Sequence, residues 1–366
     1  MPKTPSSLLA LALLMLAALA LAFGALALFV ITRPTLSPGT TWLLAVTFLV
    51  SGAVSALAGA WLLSAWQAWH NRPRTAAAAP ERPTSKNPIS RRAFLKLAAL
   101  EMAVGGATVA AAGYLTRLEP HWVQVQAVQV PIAGLALRLD GLRIVQLSDL
   151  HLSQAAPRSY LQRVVATVQS LAAEMIVLTG DYDTPECAPI LAPLHAPLGV
   201  YAVLGNHDHW NGAAAMSEAL RAAGLTLLRN QGRPIARDGG RHADLWLAGL
   251  DDVWEGQDDL SASLRKAPAG VPVLLLVHEP DYAERIAGRA AELDIILQLS
   301  GHSHGGQVRL PFIGAPILPY LGQKYPLGLQ RAGSMWVYTN RGIGMTVLAV
   351  RLNCRPEITV ITLRRA

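Results

Sequence analysis

Five short aliphatic runs in this chain each end in residue types that bind metal ions, and this repetition constrains the fold more than any other feature. Residues 142–148 run into Asp149-Leu150-His151, and residues 175–179 into Gly180-Asp181. Residues 200–204 run into Gly205-Asn206-His207-Asp208, residues 273–277 into His278-Glu279, and residues 295–299 into Ser300-Gly301-His302-Ser303-His304. Five of the ten histidines fall in these endings, which is not the scatter expected of a surface residue type. Between and around the runs lie Ala-rich amphipathic stretches at 159–173, 213–223 and 281–291. Short strands alternating with helical patterns predict an α/β domain. Open α/β sheets bind ligands outside the carboxyl ends of their strands, so the five endings are expected to converge on one crevice.

Singly, each residue has a plain explanation: Asp149 as a turn cap, His278 as a satisfied core histidine, the glycines around His302 as a tight turn. In series they make a metal site. Two divalent ions ~3.5 to 4 Å apart can clamp the attacking and leaving oxygens of an in-line phosphoryl displacement. A carboxylate must bridge them, and Asp181 suits that place. Neutral imidazoles and the Asn206 amide add no charge, so two carboxylates against two dications leave about +2, or about +1 with a bridging hydroxide. That balance attracts a phosphate, whereas a cysteine-type structural zinc site is closed and neutralised. Cys187 and Cys354 are too few for such a site or for a disulfide framework, and stand either as one bridge or as two free thiols. His207, next to Asn206, is assigned to the reacting phosphate and leaving oxygen, with Asp208 orienting its ring as carboxylates orient catalytic histidines. His209 reads as a solvated loop residue, and Asp183, Asp251, Asp252, Asp258 and Asp259 as turn or surface residues.

The blocks Asp149-x-His151, Gly180-Asp181, Gly205-Asn206-His207-Asp208, His278 and Gly301-His302-x-His304 resemble the calcineurin-like metallophosphoesterase superfamily in order and spacing, over residues 123–363. Within it, Gly249-Leu250-Asp251-Asp252, His278-Glu279-Pro280, Gly305-Gly306-Gln307 and Asn353-Cys354-Arg355-Pro356-Glu357-Ile358 look most like a bacterial membrane-associated or exported phosphodiesterase branch. The resemblance implies a four-layer αββα sandwich. It also implies one metal on Asp149, His151, Asp181 and His304, a second on Asp181, Asn206, His278 and His302, and His207 as the acid or phosphate-positioning residue. Mixed imidazole, carboxylate and amide ligands suit Mn, Fe or Zn. Ser303 stands where many relatives have Thr and Ala349 where many have Pro, neither at a ligand position. No ligand position is lost, which weighs against the alternative of a non-enzymatic membrane scaffold or receptor retaining the fold.

The first 118 residues follow a different logic. Residues 8–31 and 41–69 carry no charge, and at ~1.5 Å per residue each is long enough for a helix across a ~30 Å hydrocarbon core. Trp61, Trp66 and Trp69 fit an interfacial belt. A third apolar run, 97–115, is softened by Glu101, Gly105 and Gly106. The linker at 70–96 holds seven basic residues against Glu81, so the positive-inside rule puts it in the cytoplasm and the domain at 119–366 outside, anchored by a multi-pass membrane region. Ser90-Arg91-Arg92-Ala93-Phe94-Leu95-Lys96 resembles a twin-arginine export signal, or is a basic flank of the third run. Ala110-Ala111-Ala112 has the small-residue pattern of a signal-peptidase site. Residues 1–118 hold 10 basic and 2 acidic residues, a balance of +8, leaving 21 basic and 22 acidic, or −1, for residues 119–366. The net +7 is therefore no nucleic-acid footprint, and no nucleic-acid partner is expected. The apolar loop at 310–321, close after His304, either packs on its own domain or forms a rim that accepts acyl chains, and Arg309, Lys324 and Arg331 beside it are either solvated or phosphate holders. The second reading of each, with the short span after Leu115, predicts a lipid-linked or membrane-proximal phosphoester substrate.

Overall fold

The computed structural model describes residues 106–107, 110–237, 239–240 and 242–366, all within one compact unit, Val104–Ala366. The runs at 8–31 and 41–69, the linker at 70–96 with its twin-arginine-like segment, and most of the run at 97–115 lie outside the described residues. Among the described residues no helix is long and apolar enough to cross a membrane.

Two six-stranded sheets organise the unit. The first has the order β1-β12-β2-β3-β4-β5, built from Gln124–Ile132, Glu357–Arg365, Arg143–Leu147, Met175–Thr179, Val200–Val203 and Thr226–Leu227. The second has the order β10-β11-β9-β8-β7-β6, built from Gly328–Ala332, Met335–Thr339, Ile295–Ser300, Val273–Leu276, Leu245–Gly249 and Gln231–Ile235. Both are mixed: β2, β3 and β4 run parallel, as do β7, β8 and β9, while β12 opposes β2 and β6 opposes β7.

Side-chain alternation along each strand builds the layers. Ile144, Met175, Val177, Tyr201 and Val203 face Leu247, Leu274, Leu276, Leu297 and Leu299 across an apolar core between the sheets. The alternate residues Val145, Leu147, Ile176, Leu178 and Ala202 pack on Tyr160, Leu161, Val164, Val165 and Val168 of the helix Arg158–Ser170. On the far side, Val273, Leu275, Ile295, Met335 and Val337 meet Tyr282, Ala283 and Ile286. The result is the expected αββα sandwich, with central strands apolar on both faces. Each fully buried Leu, Ile or Val stabilises it by roughly 1.5 to 3 kcal/mol.

Two helices differ from the expectation. The one at 213–223 begins earlier, as Asn206–Ala222, with a kink at Gly212 where φ is 114°. The one at 281–291 shrinks to a 3-10 turn, Pro280–Tyr282, and the short helix Ala283–Ile286, with the poor helix former Gly288 close behind. Cys187 and Cys354 are buried free thiols, so the bridge does not form. The start of the domain is tied down by buried Glu119: its Oε1 accepts the Cys354 amide at 2.7 Å, and the Arg351 amide donates to Leu115 O at 3.0 Å.

Candidate metal centre

The register of β2 and β3 brings the first two acidic residues together. Leu147 pairs with Leu178, and the ladder continues past the strand ends, Asp149 N donating to Gly180 O at 3.0 Å and His151 N to Asp181 O at 3.1 Å. On the other sheet, Gly301 N donates to His278 O at 3.0 Å, holding the ends of β8 and β9 level. The sheets are joined beneath the site by Gln146, whose Nε2 donates to Thr179 Oγ1 on one sheet and to Ser300 O on the other.

Backbone conformation marks the site as sharply as residue type does. Fourteen non-glycine residues among those described have positive φ, and six of them are Asp149, His151, Asp181, Asp183, His302 and His304. Left-handed residues at the ends of β2, β3 and β9 turn the chain sharply there, a strain that persists only where packing holds it. The walls are correspondingly tight. A Cβ on Gly205 would lie 2.3 Å from Asp181 Oδ1, and one on Gly301 2.3 Å from Asp149 Oδ2.

Asp149, His151 and His304 form one cluster of facing ligand atoms, and Asp149, Asp181 and His278 a second. His151 Nε2 lies 3.0 Å from His304 Nε2 and 3.6 Å from Asp181 Oδ2, while His304 Nε2 is 3.3 Å from Asp149 Oδ1. His278 Nε2 lies 3.2 Å from Asp181 Oδ2 yet makes no hydrogen bond. His302 Nδ1 faces Asn206 Oδ1 at 3.1 Å. The seven residues expected as ligands are therefore gathered at one point, and all are buried.

Three of the four imidazoles are backed from outside. His278 Nδ1 donates to Thr179 O at 2.6 Å, His302 Nε2 to Tyr320 O at 2.7 Å, and His151 Nδ1 to Asp183 Oδ1 at 2.9 Å. Each outer bond orients its ring and turns the other nitrogen inward, toward Asp181 for His151 and His278 and toward the Asn206 oxygen for His302, the arrangement a metal-binding histidine needs. His304 is the exception, its Nδ1 buried without a partner among the described residues. The His151 and His304 nitrogens at 3.0 Å, and His302 Nδ1 and the Asn206 oxygen at 3.1 Å, each require a proton or a metal cation between them. The residues present thus fit a pair of cations.

The electrostatics divide the imidazoles: burial opposes charge at all four, but the carboxylates overcome it at His151 and His278 and favour a proton there that a cation would displace, while His302 and His304 stay neutral. Burial, with the neighbouring His278 charge, pulls His302 down to about 4. Burial and His151 hold His304 well below the usual imidazole range. At His151 burial opposes the charged form, but Asp183, Asp181 and Asp149 outweigh it and raise the group to about 9. Burial also works against charge on Asp181, and the surrounding His278 and His207 overcome it to keep that carboxyl well below its ordinary value.

The family model for the calcineurin-like phosphoesterase matches residues 142–306. A metallophosphoesterase of Bacillus subtilis, YkuE, is 37% identical over 286 residues, covering 75% of this chain and 98% of its own length. The chain belongs to the calcineurin-like phosphoesterase family. Phosphodiesterase YaeI of Escherichia coli is 33% identical over 285 residues, covering 75% of this chain and 99% of YaeI. UDP-2,3-diacylglucosamine pyrophosphatase LpxG of Chlamydia trachomatis is 28% identical over 265 residues, with 56% and 78% covered. As a family member this chain is a metal-dependent hydrolase of phosphoester bonds, and the family works with two metal ions.

Against that frame some expected roles change hands. Asp208 does not orient His207. Its carboxylate is buried and accepts four backbone amides, from Gly205 at 2.9 Å, Asp181 at 3.0 Å, Tyr182 at 2.8 Å and Asp183 at 3.2 Å. Asp208 is the third residue of its helix, and that position folds a carboxylate back onto the helix start, so it holds the Asp181 turn in shape. The His207 ring is held instead by Asp183, which reads from sequence as a turn residue: Asp183 Oδ1 lies 3.1 Å from His207 Nδ1 and 2.9 Å from His151 Nδ1. The only sequence signal for it was its place two residues after Asp181. His209 is not a solvated residue, since its Nε2 donates to buried Asp251 at 3.0 Å, and Asp251 and Asp252 are likewise not surface residues. Of the expected phosphate holders, Lys324 is paired with Glu284, Arg331 stacks on Trp336, and Arg309 donates to Gly305 O at 2.9 Å.

Proposed function

We propose that this chain is a membrane-anchored, dimetal-dependent phosphodiesterase whose catalytic domain lies outside the cytoplasm and acts on a lipid-linked or membrane-proximal phosphoester. The observation that carries the reading is the convergence of the His151, His278 and His304 rings on Asp149 and Asp181, with His151 and His278 each backed from outside. One cation would be held by Asp149, His151, Asp181 and His304 and the other by Asp181, Asn206, His278 and His302, and Mn, Fe or Zn would suit the donor set. Lewis acidity toward the phosphoryl oxygens is what such a pair supplies when bound.

The remaining work falls to this chain's own residues. Asp183 holds His207 through Nδ1, so Nε2 is the nitrogen that passes a proton to the departing ester oxygen. The His207 backbone amide donates to Asp181 Oδ1 at 3.0 Å, which ties the acid to the centre of the cluster. A non-enzymatic scaffold would have no need to keep all seven ligand positions and the acid in place.

Membrane proximity rests on three observations. The seven basic residues at 70–96 separate the second and third apolar runs. The domain begins directly after the third run, with Leu115 O bonded to Arg351 N. In the loop after β9, Phe312, Ile313, Ile317 and Tyr320 are all exposed, so the loop presents its apolar side chains outward. The relative LpxG is named for a diacylated sugar nucleotide, which supports a lipid-bearing substrate here.

The full chain in detergent, assayed on bis(p-nitrophenyl) phosphate with each metal after chelation, tests the chemistry. Turnover should vanish on chelation and return with metal, and full activity of metal-free protein would overturn it. A reporter that works only in the cytoplasm, fused after Ala366, should be silent; a strong signal would overturn the topology.

A further inference from the structure

The hydrolytic machinery leaves two tryptophans at the mouth of the site unused. Trp210, early in the helix Asn206–Ala222, is 49% exposed, with its ring centroid 4.7 Å from that of His207. Trp254 is 38% exposed and lies 5.5 Å from Trp210, 5.9 Å from His302 and 5.7 Å from Tyr320. The three aromatic side chains thus arc from the proton donor to the last strand ending.

Their placement is built in by buried polar groups. Asp251 Oδ1 takes the His209 ring at 3.0 Å and Arg229 Nε at 2.9 Å, and Asp251 Oδ2 takes Gln257 N at 3.1 Å. Asp252, fully buried, accepts the Trp254 amide at 3.1 Å and the Glu255 amide at 2.6 Å. Glu279, next to His278, accepts Val253 N at 3.2 Å. His209 precedes Trp210, so two adjacent buried carboxylates fix the two stretches of backbone that carry the indoles. Large aromatic faces left in water on a fixed frame are poised for a ligand that stacks, because little ordering remains to be done when it binds.

We propose that Trp210, Trp254 and Tyr320 form a stacking subsite for a ring with one face free to stack, the C–H face of a pyranose or the plane of a nucleobase, carried on the leaving-group side of the scissile phosphoester. The side follows from Trp210, which packs on His207, the residue that protonates the departing oxygen. In this respect the proposal rests on the phosphodiesterase reading above. It makes the aromatic arc the element that selects the alcohol being released, whereas the metal cluster handles the phosphate common to all substrates.

The test uses the full chain in detergent with Mn and three diesters of glycerol phosphate, whose second alcohol is glycerol, glucose or uridine. Ring-bearing esters should show higher kcat/KM than the glycerol ester, and whichever of glucose and uridine is preferred names the source of the ring. Trp210→Ala and Trp254→Ala should each reduce the ratio of ring-bearing to ring-less kcat/KM by roughly ten-fold, whatever the absolute rates, and Trp254→Phe should restore most of it. Equal kcat/KM for all three esters in the unaltered chain, or an unchanged ratio in both alanine variants, would overturn the subsite. If no ester is turned over, the phosphodiesterase reading fails separately, and calorimetry then decides the subsite. Glucose 1-phosphate or uridine monophosphate should bind the unaltered chain about ten-fold more tightly than Trp254→Ala. Equal binding, or none, would overturn it.

Discussion

The two sheets bring different chemistry to the site. The endings of β2, β3 and β4 supply every carboxylate in the cluster, Asp149, Asp181 and Asp183, together with the acid His207. The endings of β8 and β9 supply only imidazoles, His278, His302 and His304, followed by an apolar loop. The carboxylates and the proton donor thus sit on one side of the sandwich, beside the neutral ligands His151 and Asn206, and the other side gives imidazoles alone and then the apolar loop. Substitutions of the first sheet's carboxylates and of His207 should therefore strike turnover, and those in the loop beyond the second sheet should strike substrate choice.

The hardest blow to that division is Asp181→Asn. Asp181 lies between the two groups of imidazoles, 3.6 Å from His151 and 3.2 Å from His278, so its loss should empty both metal positions and bring turnover to the level of chelated protein. His278→Ala, on the other sheet, should lose one metal equivalent and keep the other. Metal content measured beside Tm separates the two. Metal at a hundred times its Kd stabilises a fold by about 2.7 kcal/mol, and Asp181→Asn should show no such metal-dependent rise. Two metals retained by Asp181→Asn would break the assignment.

His207→Ala comes next. Losing a proton-transfer group costs roughly 10² to 10⁴ in rate, and the two metals should stay bound, because the His207 ring is held by Asp183 and packs only edge-on against the ligand His151. A matching loss of metal would move His207 from acid to ligand.

Asp183→Asn sharpens the comparison from within the first sheet. One carboxylate oxygen serves both His151 and His207, so the variant should lose roughly 10- to 100-fold, the usual cost of removing an outer partner of a ligand histidine. The loss should be shared between weaker metal affinity and lower kcat, whereas His207→Ala affects kcat alone. Titrating metal against activity in both variants reads the difference.

The contrast between Asp183 and Asp208 shows what the sequence could carry. The five strand endings were legible because aliphatic runs of the right length name their own carboxyl ends, and the parallel sheets then bring those ends together. Adjacency to His207, by contrast, says nothing about where the Asp208 side chain folds. At the third position of a helix, four amide donors claim it. Asp183 was passed over because its reach toward two rings depends on a left-handed turn, with φ of 70°, that an aspartate tolerates but does not announce. The aromatic arc was equally silent, since Trp210 and Trp254 are 44 residues apart and meet only through the buried pair Asp251 and Asp252. The membrane runs, by contrast, rest on length and charge alone and fall outside the described residues.

The smallest expected effect lies beyond the second sheet, in the loop after β9. Phe312 is fully exposed with a positive φ of 65°, and Ile313 beside it is 72% exposed, so neither side chain is part of the core. A charge at this place should leave folding, metal content and the turnover of a soluble diester unchanged. If the loop rests on lipid, Phe312→Asp removes an aromatic contact and sets an anion against the headgroup layer. The cost should be a few-fold to about ten-fold in KM for a phospholipid or glycolipid phosphoester in mixed micelles, because only part of the ~1.5 to 3 kcal/mol of a fully buried Phe is at stake in an interface. The measurement is the ratio of kcat/KM on micellar and soluble esters, for the full chain with and without the substitution. A ratio that does not move would leave the carboxylate and imidazole halves of the site intact, but would remove the loop as the reason for a lipid-borne substrate.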